Sequence, residues 1–144
     1  MSIALDVNPL LYAAFDDSPF YRRANEILAR YAAGEDLVYL FWPVVMGFLR
    51  ISTNTRVYRN PLSPTAAENA ITALLSLPNV RTGMESADFW QTYRDVTSET
   101  VVRGKLVPDA HIVALMRQHG VSTIYTHDRD FRKFDGIRVV DPFA

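Results

Sequence analysis

Ser2-Ile3-Ala4-Leu5-Asp6 near one end of the chain and Ser122-Thr123-Ile124-Tyr125-Thr126-His127-Asp128 near the other share a pattern. Each is a short apolar and β-branched run followed by an aspartate, which reads as a buried strand with an acid just past its end. A third acid, Asp109, opens a helix and shares its core-facing stripe, because positions 109, 112, 113 and 116 follow the spacing of one helical face. In an open parallel sheet, strand C-termini and the following helix starts line one edge, and ligands bind there. Asp6, Asp109 and Asp128 are therefore expected at a common edge. Uncompensated carboxylates beside apolar stripes are costly. A shared divalent cation would remove that cost and supply a reaction.

The chain has 144 residues, 49% of them hydrophobic and 12% aromatic, enough for one compact domain with a real core. Fifteen basic against 16 acidic residues leave a formal net charge of −1, so nucleic-acid binding must come from local placement of charge. All the basic residues except Lys105 and Lys133 are Arg, whose forks suit phosphate. There is no cysteine, which excludes disulfides and thiolate chemistry and fits a reducing cytoplasm. The start lacks a basic n-region and a small-residue cleavage site, so no secretory signal is expected. The longest apolar run, Leu37 to Leu49, contains Pro43 and Gly47 and falls short of the ~20 residues needed to cross a bilayer. No membrane association is expected.

Between the two strands quoted above, helix and strand signals alternate. Asn8-Pro9 opens a short helix with Asn8 as its N-cap. Ser18-Pro19 opens a second that stops at Gly34, and Leu37 to Phe41 is a strand. Pro43 opens a helix that ends near Thr53-Asn54. After the turn-rich 60–64 link comes a helix with Thr65 and Glu68 as a capping box. Val80-Arg81-Thr82 is a short strand, Ser86 caps the next helix, residues 109–119 form the helix headed by Asp109, and Ile137 to Val140 is the last strand. This alternation predicts a three-layer α/β/α sandwich around a mainly parallel sheet.

Each acid also has a plain structural reading. Asp6 would cap the helix after it, Asp109 would gain about 0.3–1 kcal/mol in a first helical turn, and Asp128 would serve a turn before the short helical stretch 129–134. Their convergence on one edge favours chemistry. Hard oxygen donors suit Mg²⁺ or Mn²⁺, whereas zinc calls for His or Cys. By spacing, His111, His119 and His127 form no ligand set. His111 lies roughly opposite Asp109 on its helix, His119 reads as a solvated helix-end residue, and His127 is placed to support Asp128. Arg103 and Lys105 precede Asp109, Arg129, Arg132 and Lys133 follow Asp128, and Arg50, Arg56 and Arg59 follow the third helix. Singly these are surface charges. Together they would guide a phosphate backbone to an acidic site.

Asp6-Val7-Asn8, Phe48-Leu49-Arg50-Ile51, Leu106-Val107-Pro108-Asp109-Ala110-His111 and Thr126-His127-Asp128-Arg129-Asp130-Phe131, taken in order, resemble the PIN-domain nucleases. Within these they are most similar to the VapC-type toxins of bacterial toxin–antitoxin systems, in particular the subgroup abundant in mycobacteria. The resemblance spans essentially the whole chain, as a single PIN-like domain over 1–144. It implies an acid cluster holding Mg²⁺ or Mn²⁺, endoribonuclease activity on RNA, a homodimer, and a cognate antitoxin that wraps the toxin and blocks its site. Asp6, Asp109 and Asp128 match three family acids and are the expected catalytic and metal-binding residues. Asn8 and Thr126 would hydrogen-bond those ligands or a bound water. The fourth family acid is a Glu, and Gly47 takes its place here. Asp130 is the candidate replacement, ranked behind the other three because it is expected to face away.

Two other classes compete. A catalytically degenerate PIN domain that binds RNA or a partner would explain Gly47, but three of the acids are retained. A haloacid-dehalogenase-like phosphotransferase wants a second Asp at position 8, where Asn8 stands, and needs room for a cap domain. Finally, Phe20, Tyr21 and Trp42 exceed what one apolar stripe requires. Residues 19–33 and 43–53 are thus expected to shape a groove for the antitoxin's C-terminal segment or a dimer contact.

Overall fold

The computed structural model describes residues 1–144. Five parallel strands form one sheet: β1 (Ser2–Leu5), β2 (Leu37–Tyr39), β3 (Val80–Arg81), β4 (Thr123–Tyr125) and β5 (Arg138–Val140), in the order β3-β2-β1-β4-β5. Six helices connect them: α1 (Val7–Ala14), α2 (Tyr21–Ala33), α3 (Trp42–Ser52), α4 (Pro64–Leu75), α5 (Phe89–Val96) and α6 (Leu106–Gln118). A 3₁₀ turn, Arg129–Lys133, follows β4.

β1 is central and its apolar residues Ile3, Ala4 and Leu5 are buried, as a parallel strand covered on both faces must be. Its register with β2 pairs Ile3 with Val38, and with β4 pairs Ala4 with Ile124. From β1 to β3 the chain steps in one direction, and from β3 to β4 it crosses back. Right-handed crossovers therefore put α1–α4 on one face and α5–α6 on the other. The reversal makes the β1/β4 boundary the topological switch point of the sheet. Asp6 and Asp128 follow those two strands. No helix is long and apolar enough to cross a membrane.

Several element boundaries differ from the sequence expectation, each for a local reason. Asp6 and not Asn8 caps α1, accepting from the Val7 backbone N–H at 2.7 Å. Ser63 caps α4 through Ala66 N–H at 3.1 Å, so Thr65 and Glu68 form no capping box. Ser86 does not cap α5 with its side chain; its carbonyl accepts from Phe89 N–H. Helix α6 begins at Leu106, so Asp109 lies within its first turn and does not head it.

His119 was expected in solvent. It packs instead against Tyr39 and Phe41, with ring centroids 5.8 and 5.4 Å away, and Nε2 meets the Met84 carbonyl at 3.1 Å. That packing depends on the absence of a side chain at buried Gly83, where a Cβ would approach His119 Nε2 to 2.7 Å and Phe41 Cε1 to 2.9 Å. Gly83→Ala is expected to cost about 1–3 kcal/mol through overpacking. A denaturation midpoint equal to wild type would mean that the loop gives way freely.

Candidate active site

The acid cluster is assembled by three turns at one sheet edge. Backbone pairing continues past the strands, with Asp6 N–H donating to Tyr125 O at 3.1 Å and Thr126 N–H to Val140 O at 3.0 Å. This brings residues 6, 126–128 and 141 alongside one another. Thr126, fully buried, is the hub: its hydroxyl donates to Asp6 Oδ2 at 2.6 Å and accepts from Asp128 N–H at 2.9 Å and from Asn8 Nδ2 at 3.2 Å. Asn8 also donates to Asp6 Oδ2 at 3.4 Å and accepts from His127 N–H at 3.0 Å. Asn8 and Thr126 thus tie the two strand ends together, as supports of this kind do around ligating carboxylates.

Asp109, Asp128 and Asp130 each turn a carboxylate oxygen inward, all within 4.8 Å of one another. The inclusion of Asp130 corrects the expectation that it faces away. Asp128 Oδ1 accepts from Asp130 N–H at 2.9 Å, and this Asx turn folds the chain back so that residue 130 returns to the cluster. Asp130 also meets Lys133 Nζ at 3.0 Å and Lys105 Nζ at 3.9 Å. Asp6 stands beside this trio, 5% exposed, and its charge reaches both Asp109 and Asp128.

Burial raises the Asp6 carboxyl above its usual range, although Thr126 and Val7 pull it back. Burial, then the charges of Asp128, Asp6 and Asp130, push Asp109 up to about 7. The helix N-terminus and Lys105 favour the ionised form and do not offset these effects. Such mutual repulsion among hard oxygen donors is what a divalent cation relieves, so the residues present fit Mg²⁺-like ions. They do not fit zinc, because the histidines are engaged elsewhere. His111 Nε2 meets Glu85 at 2.6 Å, lowering the Glu85 carboxyl by that hydrogen bond. His127 faces Asp141 and not Asp128, with Nδ1 2.9 and 3.0 Å from its two oxygens. Asp141 was missed in the sequence, although it ends β5 as Asp6 and Asp128 end theirs.

Gly47 lies inside α3 with Val7 Cγ2, 3.8 Å from an ideal Cβ, as the nearest neighbour, so no packing excludes a side chain there. Gly47→Ala is expected to raise stability by about 0.5–1 kcal/mol, the helix-interior cost of glycine. A destabilised variant in chemical denaturation would show that α3 needs the glycine.

The expected groove between residues 19–33 and 43–53 is not present as such. α1 packs against both α2 and α3, and the apolar depression there is lined by Leu10, Ala13, Leu28, Phe48 and Leu74, from α1–α4. Phe20 lies apart from it, packed on Tyr12 and Phe143 at 5.0 and 5.2 Å, while Trp42 is 38% exposed on α3.

Comparison with known proteins agrees with this geometry. Residues 3–137 match the PIN domain. The chain is 49% identical to Ribonuclease VapC48 of Mycobacterium tuberculosis over all 144 residues, covering 99% of that protein. It is 31% identical to VapC ribonuclease Mb2897 of Mycobacterium bovis over 136 residues, 94% of this chain and 92% of the relative. Among solved structures, Mycobacterium tuberculosis VapC20, a Sarcin-Ricin loop cleaving toxin, superposes with a TM-score of 0.67 at 21% identity, covering 94% of this chain and 98% of that one. VapBC2 from Rickettsia felis, bound to a DNA fragment from its promoter, does so with 0.66 at 16% identity, covering 97% and 98%. With an acid-lined switch point and relatives matched from end to end, the chain belongs to the VapC ribonucleases of the PIN-domain family.

Proposed function

We propose that this chain is the toxin of a toxin–antitoxin pair, a Mg²⁺-dependent endoribonuclease in which Asp109, Asp128, Asp130 and Asp6 form the catalytic and metal-binding centre. The observation that carries the reading is the converging acid cluster in a chain 49% identical, end to end, to a protein named as a VapC ribonuclease. Mn²⁺ is the expected substitute ion. When bound, the metal supplies a Lewis acid for the scissile phosphodiester and a water of lowered pKa.

The chain's own residues do the rest. Thr126 and Asn8 hold Asp6 and the Asp128 loop in fixed relation before substrate arrives, so little reorganisation is left for the reaction itself. Asp109, held high by burial and by the neighbouring carboxylates, stands with Asp128 and Asp130 where a cation would draw it into the ionised, ligating form. Lys105 and Lys133 offset part of the acidic field that would otherwise repel the phosphate backbone. No covalent nucleophile is required. The retained acids favour this reading over a degenerate binding module.

In this proposal residues 1–144 act as a single domain in the cytoplasm, as a homodimer, and a cognate antitoxin blocks the site. Purified protein is expected to cut single-stranded RNA with Mg²⁺ or Mn²⁺ and to stop on chelation. Co-expression with its cognate antitoxin should relieve its toxicity. RNA left intact under every metal condition would overturn the enzymatic reading.

A further inference from the structure

The outward face of α5 has no part in the reaction outlined above. Phe89 anchors the start of this helix on α6, its ring centroid 5.3 Å from that of His111, two residues past Asp109. Trp90, the next residue, is 67% exposed, more than any other aromatic side chain. Its indole is not loose. It lies flat on Tyr93, one turn later, with centroids 5.7 Å apart and planes 10° from parallel. One face of the indole is thus occupied, and the other is left to solvent. Arg94, four residues from Trp90, is exposed on the same side of the helix.

This stack borders two adjoining surface cavities that lead back to the acid cluster. The first, about 500 Å³, has Tyr93 and Val101 in its wall, and Thr97, Ser98, Glu99 and Thr100 add hydroxyls and a carboxylate. The second, about 410 Å³, shares Glu99 and Thr100 with the first and reaches Arg117 and Lys133. Lys133 Nζ in turn is 3.0 Å from Asp130 Oδ1. The loop makes a second connection. Residues 101–105 run from the cavity wall to Lys105, whose Nζ is 3.9 Å from Asp130 Oδ2, and four residues span at most about 14 Å. Asp95 and Asp135 also line the second cavity, so its charge is mixed and bulk attraction is not what would hold a strand there.

A flat ring open on one face, beside a shallow cavity rimmed by hydrogen-bonding groups, matches a flat ligand with polar edges. An apolar protein helix docked there would leave the hydroxyls and Glu99 unpaired. Unpaired nucleobases have the required shape, every one of them has a π-face, and the Arg94 guanidinium suits the accompanying phosphate. We infer that the Trp90–Tyr93 stack is a platform for one unpaired base of the RNA substrate, a few nucleotides from the scissile phosphate on a strand that passes Lys133. The inference rests on the ribonuclease reading and extends it to how the strand is held.

Trp42 is the only other tryptophan, so in the Trp42→Phe chain the fluorescence reports Trp90 alone. Two probes are titrated into it in chelator, where nothing is cut: single-stranded oligoadenylate, and a ribose–phosphate chain of equal length without bases. Oligoadenylate should quench the indole and bind roughly five- to twentyfold tighter than the abasic chain, the lower part of the range for one stacked base because the platform is open to water. With end-labelled probes followed by anisotropy, Trp90→Ala should lose that preference and Trp90→Phe should keep part of it. Circular dichroism checks that each variant is folded. On an RNA that wild type cuts with Mg²⁺, Trp90→Ala should raise KM by the same factor and leave kcat unchanged. That rise should vanish when the one base that meets the platform is removed from the substrate.

A Trp90→Ala chain that keeps the full preference for oligoadenylate overturns the platform, and so does indole fluorescence that oligoadenylate leaves unchanged, even where RNA is cut normally. Wild-type RNA affinity in a Trp90→Ala chain whose sedimentation shows a dissociated dimer overturns it as well, because the stack would then be a contact between copies. Quenching and preference without any cleavage would support the platform and count against the metal-dependent mechanism instead.

Discussion

Asp109→Asn is expected to lower RNA cleavage by at least roughly 10²–10³-fold, the cost of deleting one preorganised electrostatic group from an active site, while the protein stays folded. Asp109 shares a compact oxygen cluster with Asp128 and Asp130 and feels the charge of Asp6. Replacing its carboxylate by an amide removes one anionic ligand from the cluster. The isosteric change leaves α6 intact, because its buried residues Ile112, Val113 and Met116 are untouched. Thr126→Val should act more weakly, about 10–100-fold, since Thr126 supports the ligands without being one. Cleavage time courses over several enzyme concentrations separate these sizes. An Asp109→Asn protein that cuts at the wild-type rate would sink the proposed mechanism.

The second large effect links pH, metal and stability. In the unfolded chain the Asp109 carboxyl titrates near its ordinary value of 3.8; in the fold it is raised to about 7. Between these values the folded state binds more protons than the unfolded one, so the stability of metal-free protein falls as pH rises. This contribution is complete below about 4 and gone above about 7. The raised carboxyl of Asp6 acts in the same direction. A divalent cation binds the ionised cluster and should reverse the loss. At a hundredfold excess over its Kd it contributes about 2.7 kcal/mol, and for a domain of this size that is on the order of 5–10 °C in Tm.

Metal-free protein is therefore expected to melt lower at pH 8 than at pH 5, and Mg²⁺ should raise Tm at pH 8 but hardly at pH 5. Asp109→Asn should flatten both dependences and should melt above wild type in chelator at pH 8. Differential scanning calorimetry across that grid checks the sign. A metal-free Tm that climbs from pH 5 to pH 8 would contradict the raised carboxyls.

The gap between what the residues announce and what the fold decides is visible at individual positions. Ser2 to Leu5 and Ser122 to Thr126 are legible as buried parallel strands because continuous apolar runs ending on polar residues have few other solutions. From two such strands and the helix start that carries Asp109, the edge location of Asp6, Asp109 and Asp128 follows by topology alone. The nature of the donors, oxygen without Cys and without a histidine set, is likewise fixed by residue type.

Orientation is different. Whether Asp130 joins the cluster depends on an Asx turn made by Asp128. Which acid His127 faces depends on β5 lying beside β4, which puts Asp141 closer to its Nδ1 than any sequence neighbour. His119 is stacked because Gly83 leaves room for it, and α2 and α3 form no groove of their own because α1 packs against both. Strand ends and helix stripes are periodic, short-range properties that one stretch of chain carries by itself. The directions of Asp6 and Asn8 at the edge of the sheet are set by hydrogen bonds to residues about 120 positions away, as between Thr126 and Asp6, and those partners exist only once the strands have paired.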